Sequence, residues 1–170
     1  KKNKYNNIIK ELKNKKFVED KKANSLSFFY KGSGEQNFID TKFINNLCFL
    51  SLYKNQNLRI NLHSNYKSNY QDMIIFQRKG TYIRPHKHKN GEETIHLIKG
   101  SLEVILFDKF GNIKKKVKMN SKTNLIYRIP KIYFHTHKIL SDIVVYHEAK
   151  KGPFYRNRPG TIIFAPWLKK

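Results

Sequence analysis

One stretch, Gly80–Gly100, decides the fold and the candidate site, and it reads GTYIRPHKHKNGEETIHLIKG. It contains two histidines one residue apart, His86 and His88, and a glutamate, Glu93, five positions after the second histidine. Side chains alternate between the two faces of an extended strand, so both imidazoles lie on one face and can bind the same ion. The Lys-Asn-Gly sequence at 89–91 favours a chain reversal that brings Glu93 back beside the histidines. The stretch therefore predicts three metal ligands converging from one hairpin.

The spacing of these residues resembles the first signature motif of the cupin superfamily, G-x5-H-x-H-x4-E-x6-G. Its fixed positions are Gly80, His86, His88, Glu93 and Gly100. An isolated His-x-His pair in a lysine-rich chain is usually part of the solvated surface, but the complete spacing favours metal binding. The resemblance implies an all-β, single-domain cupin, a double-stranded β-helix or jelly-roll barrel, with helical segments on its N-terminal side.

The second cupin motif contributes one more histidine after a turn that contains proline. Residues 128–135, RIPKIYFH, resemble it, with Pro130 and His135 in place. The segment departs from the motif at Ile132, where the family usually has Gly, and at Ile139, where many members have Asn. The resemblance implies one divalent transition metal held by His86, His88, Glu93 and His135.

Length and composition are those of one globular domain with a basic surface. The chain has 170 residues, of which 39% are hydrophobic and 14% aromatic, enough for a single core. Its 35 Lys and Arg against 12 Asp and Glu give a formal charge of +23, which suits an anionic partner such as nucleic acid. The lysines are scattered, however, and the wealth of Lys, Asn, Ile, Tyr and Phe is typical of AT-rich coding sequence. Compositional drift is therefore the favoured explanation, and nucleic-acid binding is not expected.

A single cysteine, Cys48, excludes an internal disulfide framework and favours a reducing, cytoplasmic environment. It lies in the apolar run LCFL at 47–50 and is interpreted as a buried hydrophobic residue rather than a nucleophile. No apolar run approaches the roughly 20 residues that span a bilayer, so no membrane span is expected.

In chain order, the sequence predicts a basic extension followed by the cupin domain. Residues 1–35 form a Lys- and Asn-rich, partly helical extension with a short aromatic strand at 25–30, and residues 36–170 form the domain. Apolar residues recur every three to four positions over 38–50, which predicts a helix packed on the outside of the barrel. The barrel covers about residues 58–150, and the Pro- and aromatic-rich segment 151–170 is expected to lie across it or in a dimer interface. The predicted strands are 58–63, 72–78, 81–88, 94–99, 101–107, 114–119, 124–129, 133–137 and 143–149, with no helix after residue 55.

With this order in view, residues 38–167 resemble the WbuC-type cupin-fold metalloproteins, which are found in bacterial O-antigen and surface-polysaccharide gene clusters. The resemblance is carried by RINLH at 59–63, GTYIRPHKH at 80–88, LIKGSLEVILFD at 97–108, IP at 129–130, HT at 135–136, GPF at 152–154 and FAPW at 164–167. It implies a β-barrel, a bound divalent metal and a role in sugar or polysaccharide metabolism. It does not imply a particular reaction.

Three imidazoles and one carboxylate suit Fe(II), Mn(II), Ni(II), Co(II) or Zn(II) better than Ca or Mg, which prefer oxygen ligands. Four protein ligands on a six-coordinate ion leave two positions for water, substrate or dioxygen, so both Lewis-acid and redox chemistry are open. The sequence does not choose between an isomerase or epimerase and an oxygenase.

Candidate substrate-binding residues follow from the strand period of two. Tyr82 and Arg84 share the face of His86 and His88 if residues 81–88 form one strand, and the Arg84 guanidinium is suited to a carboxylate or phosphate. Gln77 is a candidate neighbour on the preceding strand.

A second polar face precedes the barrel, where Arg59, Asn61 and His63 alternate along an extended segment. His63 is the candidate catalytic base or hydrogen-bond donor, and Arg59 and Asn61 are candidate substrate ligands. Of the other histidines, His96 is expected to point away from the metal. His137 can share the face of His135, but a role in supporting the ligands is not the favoured interpretation.

The leading hypothesis is a cytoplasmic, metal-dependent cupin that acts on a sugar or sugar-derived metabolite in O-antigen or surface-polysaccharide biosynthesis. Its small-molecule substrate is expected to be anionic or rich in hydroxyl groups. Two alternatives stay open, a non-catalytic metal- and carbohydrate-binding cupin module and a basic RNA-associated protein. Because open sheet edges invite association, a homodimer is also expected.

Overall fold

A computed structural model describes residues 1–33, 38–89, 91–155 and 161–167, which form two helices and twelve strands. In chain order these are α1 (Lys2–Asn14), β1 (Phe17–Glu19), β2 (Leu26–Tyr30), α2 (Thr41–Lys54), β3 (Leu58–Asn61), β4 (Tyr70–Arg78), β5 (His86–His88), β6 (Glu93–Lys99), β7 (Ser101–Phe107), β8 (Ile113–Asn120), β9 (Ile126–Ile129), β10 (Phe134–Ile139), β11 (Ile143–Lys151) and β12 (Ile162–Phe164). Neither helix of these described ranges is long and apolar enough to cross a membrane.

The strands form two sheets packed face to face. One sheet has the order β1-β2-β3-β4-β11-β6-β9, and the other β12-β5-β10-β7-β8. Strand pairs within the described residues are antiparallel except β2 and β3, which run parallel with α2 as their connection. The predicted all-β sandwich with helical segments before it, and without a helix after α2 in the described residues, is confirmed.

The two faces of the seven-stranded sheet bury different sets of side chains, because residues alternate along each strand. The outer face packs against α1 and α2 through Leu58, Ile60, Ile74, Phe76 and Val145, with Ile8, Leu12, Phe43 and Leu47 from the helices. The inner face meets the second sheet through Ile95, Leu97, Val144 and Tyr146, against Leu102, Val104 and Leu106. Each fully buried Leu, Ile or Phe contributes about 1.5–3 kcal/mol, so the layers are held mainly by apolar burial.

The predicted helix at 38–50 begins and ends a few residues later than expected. The Asp40 carboxylate accepts a hydrogen bond from the Phe43 amide at 2.7 Å and caps the helix start. Asn55 adopts a left-handed conformation and ends the helix after Lys54. Residues before α2, expected to be an extension, supply α1 to the outer core and two strands to the sheet. The boundary predicted at residue 35 lies outside the described residues.

The strand predicted at 81–88 is present only as β5, residues 86–88. Pro85 has no amide hydrogen to donate to a neighbouring strand, which disfavours regular pairing just before β5. In place of a ladder, the Ile83 carbonyl oxygen accepts a hydrogen bond from Thr136 Oγ1 at 2.5 Å. The C-terminal segment adds β12 beside β5 and then lays Trp167 against Phe134, with ring centroids 4.9 Å apart.

Candidate metal centre

The three predicted histidine ligands come together on the inner face of the five-stranded sheet. β5 and β10 pair with His86 opposite His135, and the centroids of these two rings are 4.5 Å apart. His88 lies two positions along β5 on the same face. The ligating nitrogens of the three histidines all lie within 4.8 Å of one another, close enough to share one ion.

Glu93, at the start of β6, reaches this cluster from the opposite sheet. Its carboxylate oxygens lie 2.8 Å from Nε2 of His88 and 2.8 Å from Nε2 of His135. Burial raises the pKa of a carboxyl group, but contacts with His135 and His88 and the charge of Lys150 hold the pKa of Glu93 well below its usual value. Glu93 is therefore an anion at neutral pH, although only 3% of its surface is exposed.

His86 is held in the neutral form that a metal ligand requires. Burial, with repulsion from His135 and His88, lowers the pKa of His86 to about 3. Its Nδ1 lies 2.9 Å from the Arg84 carbonyl oxygen, so Nδ1–H donates there and Nε2 is the atom presented to the cluster. The backbone of the irregular segment before β5 thus sets the orientation of this ring.

The donor set fits a transition-metal ion. The Nε2 atoms of His88 and His135 are buried and lie 2.8 Å from Glu93, yet neither forms a hydrogen bond of acceptable geometry within the described residues. Imidazole nitrogens grouped with a carboxylate oxygen are the donors that Fe, Mn, Ni, Co and Zn prefer. This buried His/Glu cluster could therefore hold a metal, and the donors suit several of these ions.

The cluster borders a cavity of about 210 Å³ between the sheets. Its wall is formed mainly by β3, β4, β6, β10 and β11. The lining residues include Ser25, Asn57, Arg59, Ile75, Gln77, Ile83, His86, Glu93, His137, Tyr146, Glu148 and Lys150. Of the predicted substrate-binding residues, Arg59 and Gln77 line this cavity.

Three lining residues on β11, Tyr146, Glu148 and Lys150, were not among the predicted site residues. Lys150 Nζ lies 2.6 Å from Glu148 Oε1 and 3.7 Å from Glu93 Oε2. Burial lowers the pKa of an amine, but the charges of Glu148 and Glu93 raise the pKa of Lys150 above its usual value. The sequence predicts that residues 146, 148 and 150 share one face of a strand. It does not show whether that face points inward or outward.

His137 lies on the same face of β10 as His135 and also borders the cavity. The Tyr146 hydroxyl lies 3.4 Å from His137 Nδ1, and His137 Nε2 is buried with no hydrogen-bond partner within the described residues. Burial lowers the pKa of His137 to about 4, so the ring is neutral. Glu93, His135 and His137 also bring ligating atoms within 4.8 Å of one another, which makes His137 a further donor at the edge of the cluster.

Tyr82 and Arg84 do not line the cavity, because residues 81–85 do not continue the strand and the period of two fails there. Tyr82 is 75% exposed. The Arg84 guanidinium lies over the Phe164 ring, 5.0 Å from its centroid. The backbone carbonyl oxygen of Arg84 contacts the metal cluster by accepting a hydrogen bond from His86.

Asn61 and His63 also lie outside the cavity lining. Asn61 shares a strand face with Arg59, but β3 ends at Asn61, so the predicted alternation does not reach His63. Asn61 Nδ2 donates to the Phe28 carbonyl oxygen at 2.9 Å and to the Ser27 hydroxyl at 3.2 Å, so it ties β3 to β2. His63 Nδ1 accepts a hydrogen bond from the Asp72 amide at 3.0 Å. Asn61 thus connects β3 to β2, and His63 connects the end of β3 to β4.

The remaining two histidines lie on the outer face of the seven-stranded sheet. His96 is exposed and stands opposite His147 in the β6–β11 ladder. His147 pairs with Asp72 through Nε2, and this contact raises the pKa of His147. Neither residue reaches the metal cluster.

Comparisons with known proteins support the fold. A family model described as a domain of unknown function, DUF6016, matches residues 53–119, which include His86, His88 and Glu93 but not His135. No curated protein matches the chain. Two structures of the capsular polysaccharide assembling protein CapF from Staphylococcus aureus are similar, with TM-scores of 0.53 and 0.52 at 15% and 16% identity. They cover 64% of this chain and 29% and 31% of CapF.

Oxalate decarboxylase from Bacillus subtilis gives a lower TM-score of 0.48, at 14% identity, over 64% of this chain and 27% of that protein. The chain thus spans less than a third of the length of these proteins. At such identities the likeness to CapF shows the fold alone. It confirms the predicted cupin fold, a two-sheet sandwich with two helices.

Proposed function

We propose that the chain is a metal-dependent enzyme of the WbuC-type cupins that acts on a sugar or a sugar-derived metabolite in surface-polysaccharide biosynthesis. The observation that carries the proposal is the buried cluster of His86, His88, Glu93 and His135 beside a polar cavity. The polysaccharide setting is supported by the sequence resemblance to WbuC. CapF, described as a capsular polysaccharide assembling protein, is a precedent for this fold in a related setting.

In this proposal the four residues hold one divalent transition ion, which would supply Lewis-acid or redox chemistry when bound. Arg59 and Gln77 bind polar groups of the substrate, since they line the cavity. The earlier candidates Tyr82, Arg84, Asn61 and His63 are not assigned substrate contacts, because their side chains lie outside the lining. The two sheets exclude bulk water and so strengthen polar interactions at the site.

The experiment is elemental analysis of protein purified without chelator. Wild type should hold about one divalent transition ion per chain, and His86→Ala or His135→Ala should lose it because each removes a buried donor. His96→Ala is the matched control, since His96 is an exposed histidine on the outer face of the same sandwich. Circular dichroism checks that all three variants stay folded. Metal-free wild type, or equal metal content in the His86 and His96 variants, would contradict the proposal.

A further inference from the structure

One of the positive charges that line the cavity beside the metal centre, Arg59, forms no ion pair within the described residues. Lys150 is paired with Glu148, and Glu93 faces the histidines. Within the described residues, by contrast, no carboxylate lies at ion-pair distance from the half-buried Arg59 guanidinium. Within the described residues the guanidinium donates one hydrogen bond, a weak one from Nη1 to Met73 Sδ at 3.8 Å. A partly desolvated charge is stabilised by an opposite charge, so an anion entering the cavity would complete this electrostatic arrangement.

Two neutral polar atoms on the same cavity wall also lack partners within the part of the chain that the structure describes. They are Gln77 Oε1 and His137 Nε2, both fully buried. Buried polar atoms in folded proteins are nearly always hydrogen-bonded. The metal cluster accounts for His137, whereas Gln77 Oε1 is left for a polar ligand. Gln77 Oε1 accepts hydrogen bonds, which matches a hydroxyl group on that ligand.

The volume of the cavity limits the size of the ligand. At about 210 Å³ it is smaller than the roughly 300–1,000 Å³ of sites that hold drug-sized molecules. A short hydroxy acid or one sugar ring is of matching size. A nucleotide-linked sugar or an oligosaccharide is too large to enter whole.

We propose that the cavity takes a compact hydroxycarboxylate with one negative charge, no larger than a single sugar acid. The Arg59 guanidinium binds the carboxylate through paired N–H groups, and Gln77 Oε1 accepts a hydrogen bond from a hydroxyl group of the acid. The inference rests on the proposed function, because it names the substrate class of the same site. It goes further in excluding nucleotide-linked sugars from the cavity.

The test is isothermal titration of the metal-loaded full chain with glycolate, glycerate and glucuronate. Each acid is compared with its neutral counterpart, namely ethylene glycol, glycerol and glucose, and glucuronate is also compared with UDP-glucuronate. At least one acid should bind tenfold or more tightly than its neutral counterpart, and UDP-glucuronate should bind at least tenfold more weakly than glucuronate. Three acids that bind no better than the neutral compounds, or a UDP-glucuronate affinity equal to that of glucuronate, would overturn the inference.

Variants assign the carboxylate contact to Arg59. Arg59→Met should weaken binding of the acid at least tenfold while metal content stays at that of wild type. Arg59→Lys keeps the positive charge but lacks the paired N–H groups, so its affinity for the acid should lie between those of wild type and Arg59→Met. Arg128→Met is the control, because Arg128 is an exposed arginine outside this cavity. Unchanged acid affinity in folded Arg59→Lys and Arg59→Met would overturn the assignment. Failure of the proposed function would appear as wild-type protein that holds no metal. The titrations can also be run on chelator-treated protein, so acid binding is tested independently of metal binding.

Discussion

Lowering the pH from 6.5 to 4.5 should destabilise the metal-free protein through two buried histidines. In the folded protein the pKa of His86 is about 3 and that of His137 about 4, whereas the usual value is 6.5. Between these values the unfolded chain binds a proton at each position and the folded chain does not, so acid favours unfolding. Above pH 6.5 these two groups do not lower the free energy of unfolding. Below pH 6.5 the free energy of unfolding falls until the pH reaches the pKa values of the folded protein.

The size of the effect follows from the shifts. Each group changes the free energy of unfolding by about 1.4 kcal/mol per pH unit, so two groups over two units amount to roughly 5 kcal/mol. A domain is typically stable by about 5–15 kcal/mol, so the loss is large. Asp72 raises the pKa of His147, so the stabilisation from this pair is fully present below pH 6.5 and does not add to the loss. In the folded protein Glu93 stays ionised across this window, because its pKa is held well below its usual value.

The assay is urea unfolding of chelator-treated protein at pH 6.5, 5.5 and 4.5. Wild type should lose most of the expected 5 kcal/mol, and a variant with both His86→Phe and His137→Phe should lose less than half as much. His96→Phe, which removes an exposed histidine, should keep the wild-type slope. A wild-type stability that changes by less than about 1 kcal/mol over this range, or a double variant with the full slope, would refute the reasoning.

Two further predictions concern a turn and the assembly. Gly100 has a φ of 82°, and a Cβ there would overlap the Ser141 hydroxyl and the Ile143 carbonyl oxygen, whereas Gly80 has a φ of 83° in open space. Gly100→Ala should therefore cost about 3 kcal/mol and Gly80→Ala about 1 kcal/mol in urea unfolding, and equal costs would contradict the overlap. Light scattering should give twice the 20.3 kDa chain mass, because both sheets end in open edge strands; a monomer mass would contradict the expected homodimer.

Local pattern predicted the strands well, because alternation and turn residues act over a few positions. The segments around β4, β6, β7 and β11 were predicted within two residues of their observed ends. The same reasoning failed for residues 81–85. There a period of two was applied across Pro85, and the inward placement of Tyr82 and Arg84 depended on it.

The cavity was harder to predict because its wall depends on which strands become neighbours. Lys150 stands opposite Glu93 only through the β11–β6 pairing, a contact between residues far apart in sequence. Arg59 and His63 were predicted to share a strand face, but β3 ends at Asn61, whose side chain bonds to β2, and the cavity does not extend to His63. A signature motif can identify ligands, but the surroundings of the ligands come from pairings between distant segments.

The position of β11 has a consequence for the order of events during synthesis. This strand lies between β4 and β6 and is the only hydrogen-bonded link between them among the described residues, yet it follows β6 by more than 40 residues along the chain. A nascent chain that has not reached residue 143 holds β1 to β4 as one ribbon and β6 with β9 as another, each with an unsatisfied edge. We therefore expect the sandwich to close only after β11 has been synthesised, and until then the ribosome-bound chain presents two open edges to chaperones and to other chains.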